Sequence, residues 1–448
     1  MKRLLVLLTL AVPLTAEPPL SLDQAVNLAL RESKGAQLAR LRTEEAGVDL
    51  KAAKSQRYPR LNVMGIAGVY LSPFDVYLRR GTLSPFVDAL GTQAGLGALT
   101  QQIGPVPSQD FLLYRGGREQ YIGSAVLLQP LTQQFRIGSG VAASKKNAEG
   151  ASLAENQVIQ QVKRGVEELF AGILLETRRE AWHRAKRELQ QAQLRDAEHA
   201  QQVGEMLDDA VLGLQAELAQ TETDLMRSEQ QRARLSLQLG DLIGRPGDER
   251  IALAETLPHR QEHPLSYWIS KAPQNLEHRS AATVAERARL GVRAARQAEI
   301  PDVSAFVSGF VQDGQQILPA NGGMVGVLVN WEVFDGGQKR ADVSRGIVRR
   351  RQAELAQEKT REDVVRQMRL AYQDYQHATE LIGLAEKAEA YRRRAAELAR
   401  QSVENQLSLP SKALAAEADL RKAEADLVGA RLQQHLALLQ LYALTGEL

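Results

Sequence analysis

The sequence has no cysteine among its 448 residues. That absence removes disulfides, thiolate metal sites, a cysteine nucleophile and an acylated N-terminal cysteine together, so any hold on a membrane has to be noncovalent. Aromatic residues make up only 5%, little for a compact enzyme core. Neither sign of charge dominates: 56 basic and 54 acidic residues give a net charge of +2. They are spread along the same tracts, so no basic arm or patch marks a nucleic acid as partner. Beyond the N-terminus no run approaches the roughly 20 uninterrupted apolar residues of a spanning helix. If this chain enters a membrane, it does so as strands. Proline is missing from the whole tract between Pro130 and Pro246.

What is present favours long helices: Ala, Leu, Glu, Gln and Arg dominate, the composition of extended helical hairpins and coiled coils. Residues 1–16 place Lys2 and Arg3 before the apolar run Leu4 to Leu14 and then Thr15-Ala16, the order of a secretory signal peptide, although Leu14 stands where a small residue is preferred. From Leu22 to about Lys54 the pattern is one helix, ending before Tyr58-Pro59. Alternation over 61–70 and again over 121–129 predicts two strands. Between them Leu71 to Arg118 carries several prolines and glycines and is expected to be a long irregular loop. The proline-free tract then predicts a helical hairpin over about 137–243. Its turn falls at Val203-Gly204-Glu205-Met206-Leu207-Asp208-Asp209, where a glycine and an acidic pair suit a helix start.

The pattern then repeats. After a linker over 248–264, residues 265–297 are expected to be a weaker helix broken near Pro273, followed by strands at about 303–311 and 324–334. A second hairpin is predicted over about 338–445, with its turn near Asn405 to Pro410. The halves align at Pro59 with Pro301, Ile122 and Val126 with Val325 and Val329, Phe170 with Tyr372, and Gly244 with Gly446. A duplicated chain is therefore expected, residues 17–247 and 265–448, each half reading helix, strand, loop, strand, long helical hairpin.

The stretch Gly323 to Arg340 is where strand gives way to helix. Val325, Val327, Val329, Trp331 and Val333 fall on one face and Leu328, Asn330 and Glu332 on the other. That apolar face could meet lipid, with Asn330 and Glu332 toward a lumen, or pack within a soluble sheet. Four strands per chain are too few for a closed membrane barrel, which starts at about 8, and unpaired edges cannot sit in lipid. Three chains would supply twelve, so a homotrimer is the simplest expectation.

At this point a resemblance can be stated. The repeat order, Tyr58-Pro59 and Ile300-Pro301 before the first strand of each half, Trp331-Glu332-Val333-Phe334-Asp335-Gly336-Gly337 before the long helix, and Val203-Gly204 with a downstream Asp resemble the TolC-like outer membrane efflux protein family over nearly the whole mature chain. The resemblance implies a mainly α fold with a small β part, trimeric, with a 12-stranded β-barrel in the outer membrane continued by a periplasmic α-helical barrel. It implies a passive conduit of a tripartite efflux or type I secretion system, working with a periplasmic adaptor and an inner-membrane pump. No chemistry, cofactor or metal is implied for the chain itself. The competing reading is a periplasmic coiled-coil scaffold or adaptor without a pore.

The candidate functional residues follow. Gly204, Met206, Leu207, Asp208 and Asp209 in the first turn, and Gln406, Leu407, Ser408, Leu409 and Lys412 in the second, are candidates for adaptor contact or for the aperture. The acidic pair could form a ring at the mouth or merely cap a helix. Met206, Leu207, Leu407 and Leu409 could meet an adaptor or pack between the tips. The second turn departs from the family pattern, with Asn405-Gln406 in place of Val-Gly and Lys412 in place of Asp. Asp335, Gly336 and Gly337 are expected to form the barrel-to-helix joint, whose first-half counterpart Thr132-Gln133-Gln134 lacks the glycines. His259 and His263 have helical metal-pair spacing but sit in a proline-bracketed linker with no third ligand. Gly138-x-Gly140 lacks a nucleotide-binding unit, and no nucleophile, base and orienting group come together to propose a catalytic triad.

Overall fold

The computed structural model describes residues 19–72, 75–96, 99, 102–245, 247, 251–254, 258, 260–314 and 319–448. The signal-peptide expectation for 1–16 and His259 lie outside them. The chain divides into two units.

The first unit, residues 1–48, 146–288 and 349–448, is helical. Its opening helix does not run unbroken as expected. A capping box between Ser21 and Gln24 starts α1, Leu22–Glu32, and a second helix, α2, follows over Lys34–Ser55. The break is at Ser33, whose hydroxyl accepts from the Ala36 N–H at 3.4 Å while its own N–H bonds to the Ala29 carbonyl. A serine that offers the backbone an alternative partner is a physical reason for the interruption.

Two long hairpins supply most of this unit. Helix α4 covers Gln133–Gln202 and returns as α5, Asp208–Ile243; α8 covers Gln338–Glu404 and returns as α9, Pro410–Thr445. At ~1.5 Å per residue, α4 is on the order of 100 Å long. Both returning helices have 36 residues, ending at Gly244 and Gly446. Contacts at Glu167–His435, Leu175–Gly429 and Trp182–Lys422 show α4 and α9 lying side by side and antiparallel.

The core sits at the base of each hairpin, where a short N-terminal element covers it. Leu22, Ala25 and Ala29 of α1 bury against Val166, Phe170, Leu239 and Ile243. In the second half α6, Leu265–Ser270, supplies Trp268 against Val364, Met368, Tyr375 and Leu441, followed by a 3-10 turn at Ala272–Gln274 and then α7, Leu276–Gln297. Burying a large apolar side chain contributes about 1.5–3 kcal/mol, so these two clusters anchor the bases of the hairpins. The linker is tied to the same region: buried Glu167 accepts both Nη2 contacts from Arg260, at 2.6 and 2.9 Å, and lies 2.9 Å from His435 Nε2.

The second unit, residues 49–145 and 289–348, holds the sheet. Strands β1, Arg60–Val69, β4, Glu119–Pro130, β5, Asp302–Asp313, and β6, Asn321–Asn330, pair in the order β1-β4-β5-β6, every pair antiparallel. The stretch Leu71 to Arg118, expected to be irregular, holds elements of its own. It contains β2, Val76–Leu78, helix α3, Ser84–Gln93, and β3, Phe111–Tyr114, with β2 paired to β3. Pro85 in the first turn of α3 supplies a helical φ without needing a donor, so a proline that looked like a loop signal opens a helix.

Candidate channel sheet, joints and hairpin tips

The register fixes which side chains share a face of the sheet. Val325 pairs with Val307, Val307 with Leu127 and Leu127 with Leu61; two residues along lie Gly323, Gly309, Ala125 and Val63, and Val329 faces Val303. One whole face of the four strands is therefore apolar or glycine over most of its area. The opposite face interleaves Asn62, Ser124, Ser308 and Gln312 with Met64, Phe306 and Met324. The apolar face is uncovered: Val63 is 75% and Val325 77% exposed. An apolar sheet face of this extent in a soluble monomer marks an interaction surface.

Strand β6 stops at Asn330, the partner of Asp302 in β5. The expected extension to 334 is absent because β5 begins only after Pro301, which has no N–H to continue the ladder. Asn330 thus lies on the mixed face as expected, but Glu332 is beyond the alternation. It belongs to the joint, where Lys339 Nζ donates to its carbonyl at 2.8 Å and lies 3.4 Å from its carboxylate. Trp331, Val333 and Phe334 are exposed, Phe334 at 88%.

The second joint is closed locally. Asp335 accepts from the Gly337 N–H at 2.9 Å and from the Lys339 N–H at 2.7 Å, satisfying donors that open α8. The Lys339 backbone bond is the main reason its carboxyl is held below the usual value, with Gly337 adding to it. Gly336 and Gly337 have φ of 66° and 92°, a region L side chains avoid. The first joint works differently. Thr132 donates to the Pro301 carbonyl at 2.6 Å and accepts from the Val303 N–H at 2.8 Å, while Gln134 donates to the Arg57 carbonyl at 2.8 Å.

The hairpin tips share one backbone design. In the first, the N–H groups of Gly204 and Glu205 bond to the carbonyls of Gln201 and Ala200; in the second, Gln406 and Leu407 bond to Val403 and Ser402. Gly204 has φ 78° and Gln406 has φ 58°, the single left-handed residue other than glycine among those described. Leu207 and Leu409 are the extended residues before α5 and α9. Asp208 and Asp209 occupy the first turn of α5 without capping it from the N-cap position. Asp208 instead accepts from Gln201 Nε2 at 2.8 Å, and the pair acts on the helix through its dipole. Val203, Leu207, Leu407 and Leu409 are all exposed, Leu407 at 80%, whereas Met206 and Ser408 are half-buried. Lys412, in the first turn of α9, is exposed beside Pro410. Because α4 and α9 run antiparallel side by side, the two tips lie at the same end of this unit.

The candidate metal pair gains no further ligand among the described residues. No cluster of His, Asp and Glu has metal-binding geometry there, and the His263 ring stacks on Tyr267 with centroids 4.0 Å apart. No described helix is long and apolar enough to cross a membrane. The arginine runs are tied to helix neighbours, as in Arg392 with Asp419 and Arg394 with Glu397.

The described residues thus combine a four-stranded antiparallel sheet, apolar on one face and open at both edges, with two long helical hairpins. Residues 270–447 match the family model described as outer membrane efflux protein, so the second half carries that family's sequence signature. The solved outer membrane protein VceC from Vibrio cholerae superposes with a TM-score of 0.72 at 16% identity, covering 95% of this chain and 96% of that one. The CmeC outer membrane channel of Campylobacter jejuni gives 0.73 at 14% identity over 95% of this chain and 85% of that chain. The open-state MtrE channel of Neisseria gonorrhoeae gives 0.67 at 16% identity, with coverage of 95% and 88%. These likenesses establish the fold across both halves. A comparison with curated protein sequences finds no match. The resemblance to the TolC-like outer membrane efflux proteins thus stands on a family signature in the second half and on the fold of the whole chain.

Proposed function

We propose that the chain is the protomer of a trimeric outer-membrane export channel, a passive conduit powered by a partner pump. The observation that carries this reading is the sheet, apolar across one face and ending in two unpaired edges, β1 and β6, that run in opposite directions. Lipid tolerates neither a bare edge nor an open sheet, and closed barrels begin at about 8 strands. Rotation about one axis brings β6 of one copy antiparallel to β1 of the next, and three copies close twelve strands. Val63, Val307, Val325 and Val329 then face lipid, and Asn330 faces water. In this assembly the hairpins line a periplasmic helical tube, and Asp335, Gly336 and Gly337 turn the chain from barrel to tube.

CmeC and MtrE, which share this fold, are outer membrane channels, and that supports the reading. At the tips, exposed Val203, Leu207, Leu407 and Leu409 are the surface for a periplasmic adaptor, and Asp208 and Asp209 contribute negative charge to the aperture. The scaffold alternative leaves the apolar sheet face uncovered, which is why the channel is preferred. Detergent-purified full chain is expected to run as three copies and to give discrete conductance steps in planar bilayers. A detergent-free soluble monomer without conductance would contradict it.

A further inference from the structure

The 71–118 excursion leaves the sheet at the end away from the helix joints. The ladder of β1 and β4 closes at Tyr70, whose N–H bonds to the Arg118 carbonyl, and β4 and β5 pair as far as Tyr121 with Asp313 at this same end. Within the excursion the N-terminal end of α3 is tied to the 106–107 segment. The Leu83 N–H bonds to the Val106 carbonyl at 2.9 Å, Ser84 Oγ accepts from the Val106 N–H at 2.8 Å, and the Gly81 N–H bonds to the Pro107 carbonyl at 3.1 Å. Gly91, on the same side as Ser84, is buried. The outward stripe is Leu83, Phe86 and Leu90, exposed at 42%, 65% and 50%, one helical turn apart. Asp88 and Thr92 lie roughly opposite, so the helix is amphipathic with its apolar side bare.

Charge on the excursion is arranged to match. Arg79 and Arg80 stand exposed just ahead of α3, and Arg115 and Arg118 are exposed where the chain returns to the sheet. Two of the acids nearby are used internally: Asp110 accepts from the Arg80 backbone N–H at 2.7 Å and Asp75 from the Tyr77 hydroxyl at 3.3 Å. A short helix with a bare apolar stripe and flanking arginines is the pattern of a segment lying in a membrane interface. The excursion that carries it leaves the sheet where the sheet's own apolar face ends, at Val69 and Tyr121.

We propose that this excursion rests in the headgroup layer of the outer leaflet, with Leu83, Phe86 and Leu90 against acyl chains and Arg79 and Arg80 on lipid phosphates. The inference rests on the channel reading, which supplies the bilayer beside the sheet. The excursion is then a lateral anchor that sets the depth of the barrel mouth rather than a cover over it.

Because the chain lacks cysteine, single substitutions Phe86→Cys, Leu90→Cys, Thr92→Cys and Val325→Cys can each carry one polarity-sensitive fluorophore in the full chain. The labelled proteins are reconstituted into phosphatidylcholine vesicles with and without phosphatidylglycerol, containing a lipid-borne quencher. Labels at 86 and 90 are expected to be quenched by the lipid, as is the label at 325, while the label at 92 answers only to a water-soluble quencher. Removing phosphatidylglycerol should weaken quenching at 86 and 90 and leave 325 unchanged. The inference is overturned, with the channel intact, if 325 is quenched by lipid while 86 and 90 behave as 92 does. Shielding of 86 and 90 from both quenchers would also overturn it, by showing contact with another copy of the protein. Quenching at 86 and 90 without any at 325 would keep the interfacial contact and refute the spanning sheet. Indifference of 86 and 90 to phosphatidylglycerol would remove the arginines from the account. Two labels on one stripe keep the result independent of local disruption at either.

Discussion

The two places where a strand gives way to a long helix solve one problem with different materials. After β4 the chain leans on its surroundings: Thr132 bridges the Pro301 carbonyl and the Val303 N–H, and Gln134 reaches the Arg57 carbonyl. After β6 it leans only on itself, through Asp335 and the two glycines. The difference follows from position in the sheet. β4 lies between β1 and β5 and has neighbours on both sides, whereas β6 is an edge and has only β5. A joint at an edge must be locally complete, since no second strand of the same chain lies beside it. Trp331, Val333 and Phe334 of that joint are exposed; in the proposed barrel they would meet the neighbouring copy or lipid.

This contrast can be broken from either side. Thr132→Val keeps the shape but strands a carbonyl and an N–H that are partly buried, and is expected to have the largest effect, about 1–3 kcal/mol. It should appear as a lower midpoint of thermal unfolding in detergent. Gly337→Ala forces a Cβ onto a residue at φ 92° and is expected to cost about 1–2 kcal/mol. The first joint, which has no left-handed residue, should tolerate Gln134→Ala with a smaller loss.

Acid sharpens the contrast further. The carboxyl of Asp335 is held below its usual value by the backbone donors of α8. A depressed carboxyl stabilises the folded joint above the unfolded-state pKa, and that contribution disappears as pH falls through the folded value. Protonation should therefore loosen the second joint and leave the first unaffected. Amide exchange at Gly337 and Lys339 in the wild type should rise relative to neighbouring amides at low pH. In Asp335→Ala it should already be fast at neutral pH and lose that dependence.

The hairpin tips give the smallest effects. Gly204→Ala places a side chain at φ 78° and should cost about 1 kcal/mol. Gln406→Gly relieves the matching strain but frees the unfolded chain, and the two should nearly cancel, within about 0.5 kcal/mol. Both are read in the same unfolding assay.

The alternation of Val325, Val327 and Val329 against Leu328 and Asn330 was readable from the sequence because a strand has a fixed period, and the register extends that one face across all four strands. The tip at Gly204 was readable from its glycine, and its partner at Gln406 only by alignment with it. Other features depend on what a segment meets in space. Nothing local in Trp331 to Phe334 shows that the ladder ends with Pro301, 30 residues before it. The bridge from Thr132 to β5 joins residues more than 160 positions apart, and Arg260 reaches Glu167 from a linker of unremarkable composition. The elements within the 71–118 excursion were hidden because its prolines and glycines read as loop signals, while Pro85 in fact starts a helix.

The most direct test of the central claim is whether β6 of one copy pairs with β1 of the next. With Val327→Cys in β6 combined in turn with a cysteine at each apolar-face position of β1, oxidation of the protein in membranes should give, at one register, a covalent ladder that ends at three chains. No cross-link at any register, or a ladder that stops at two chains or runs past three, would contradict the closed trimeric barrel.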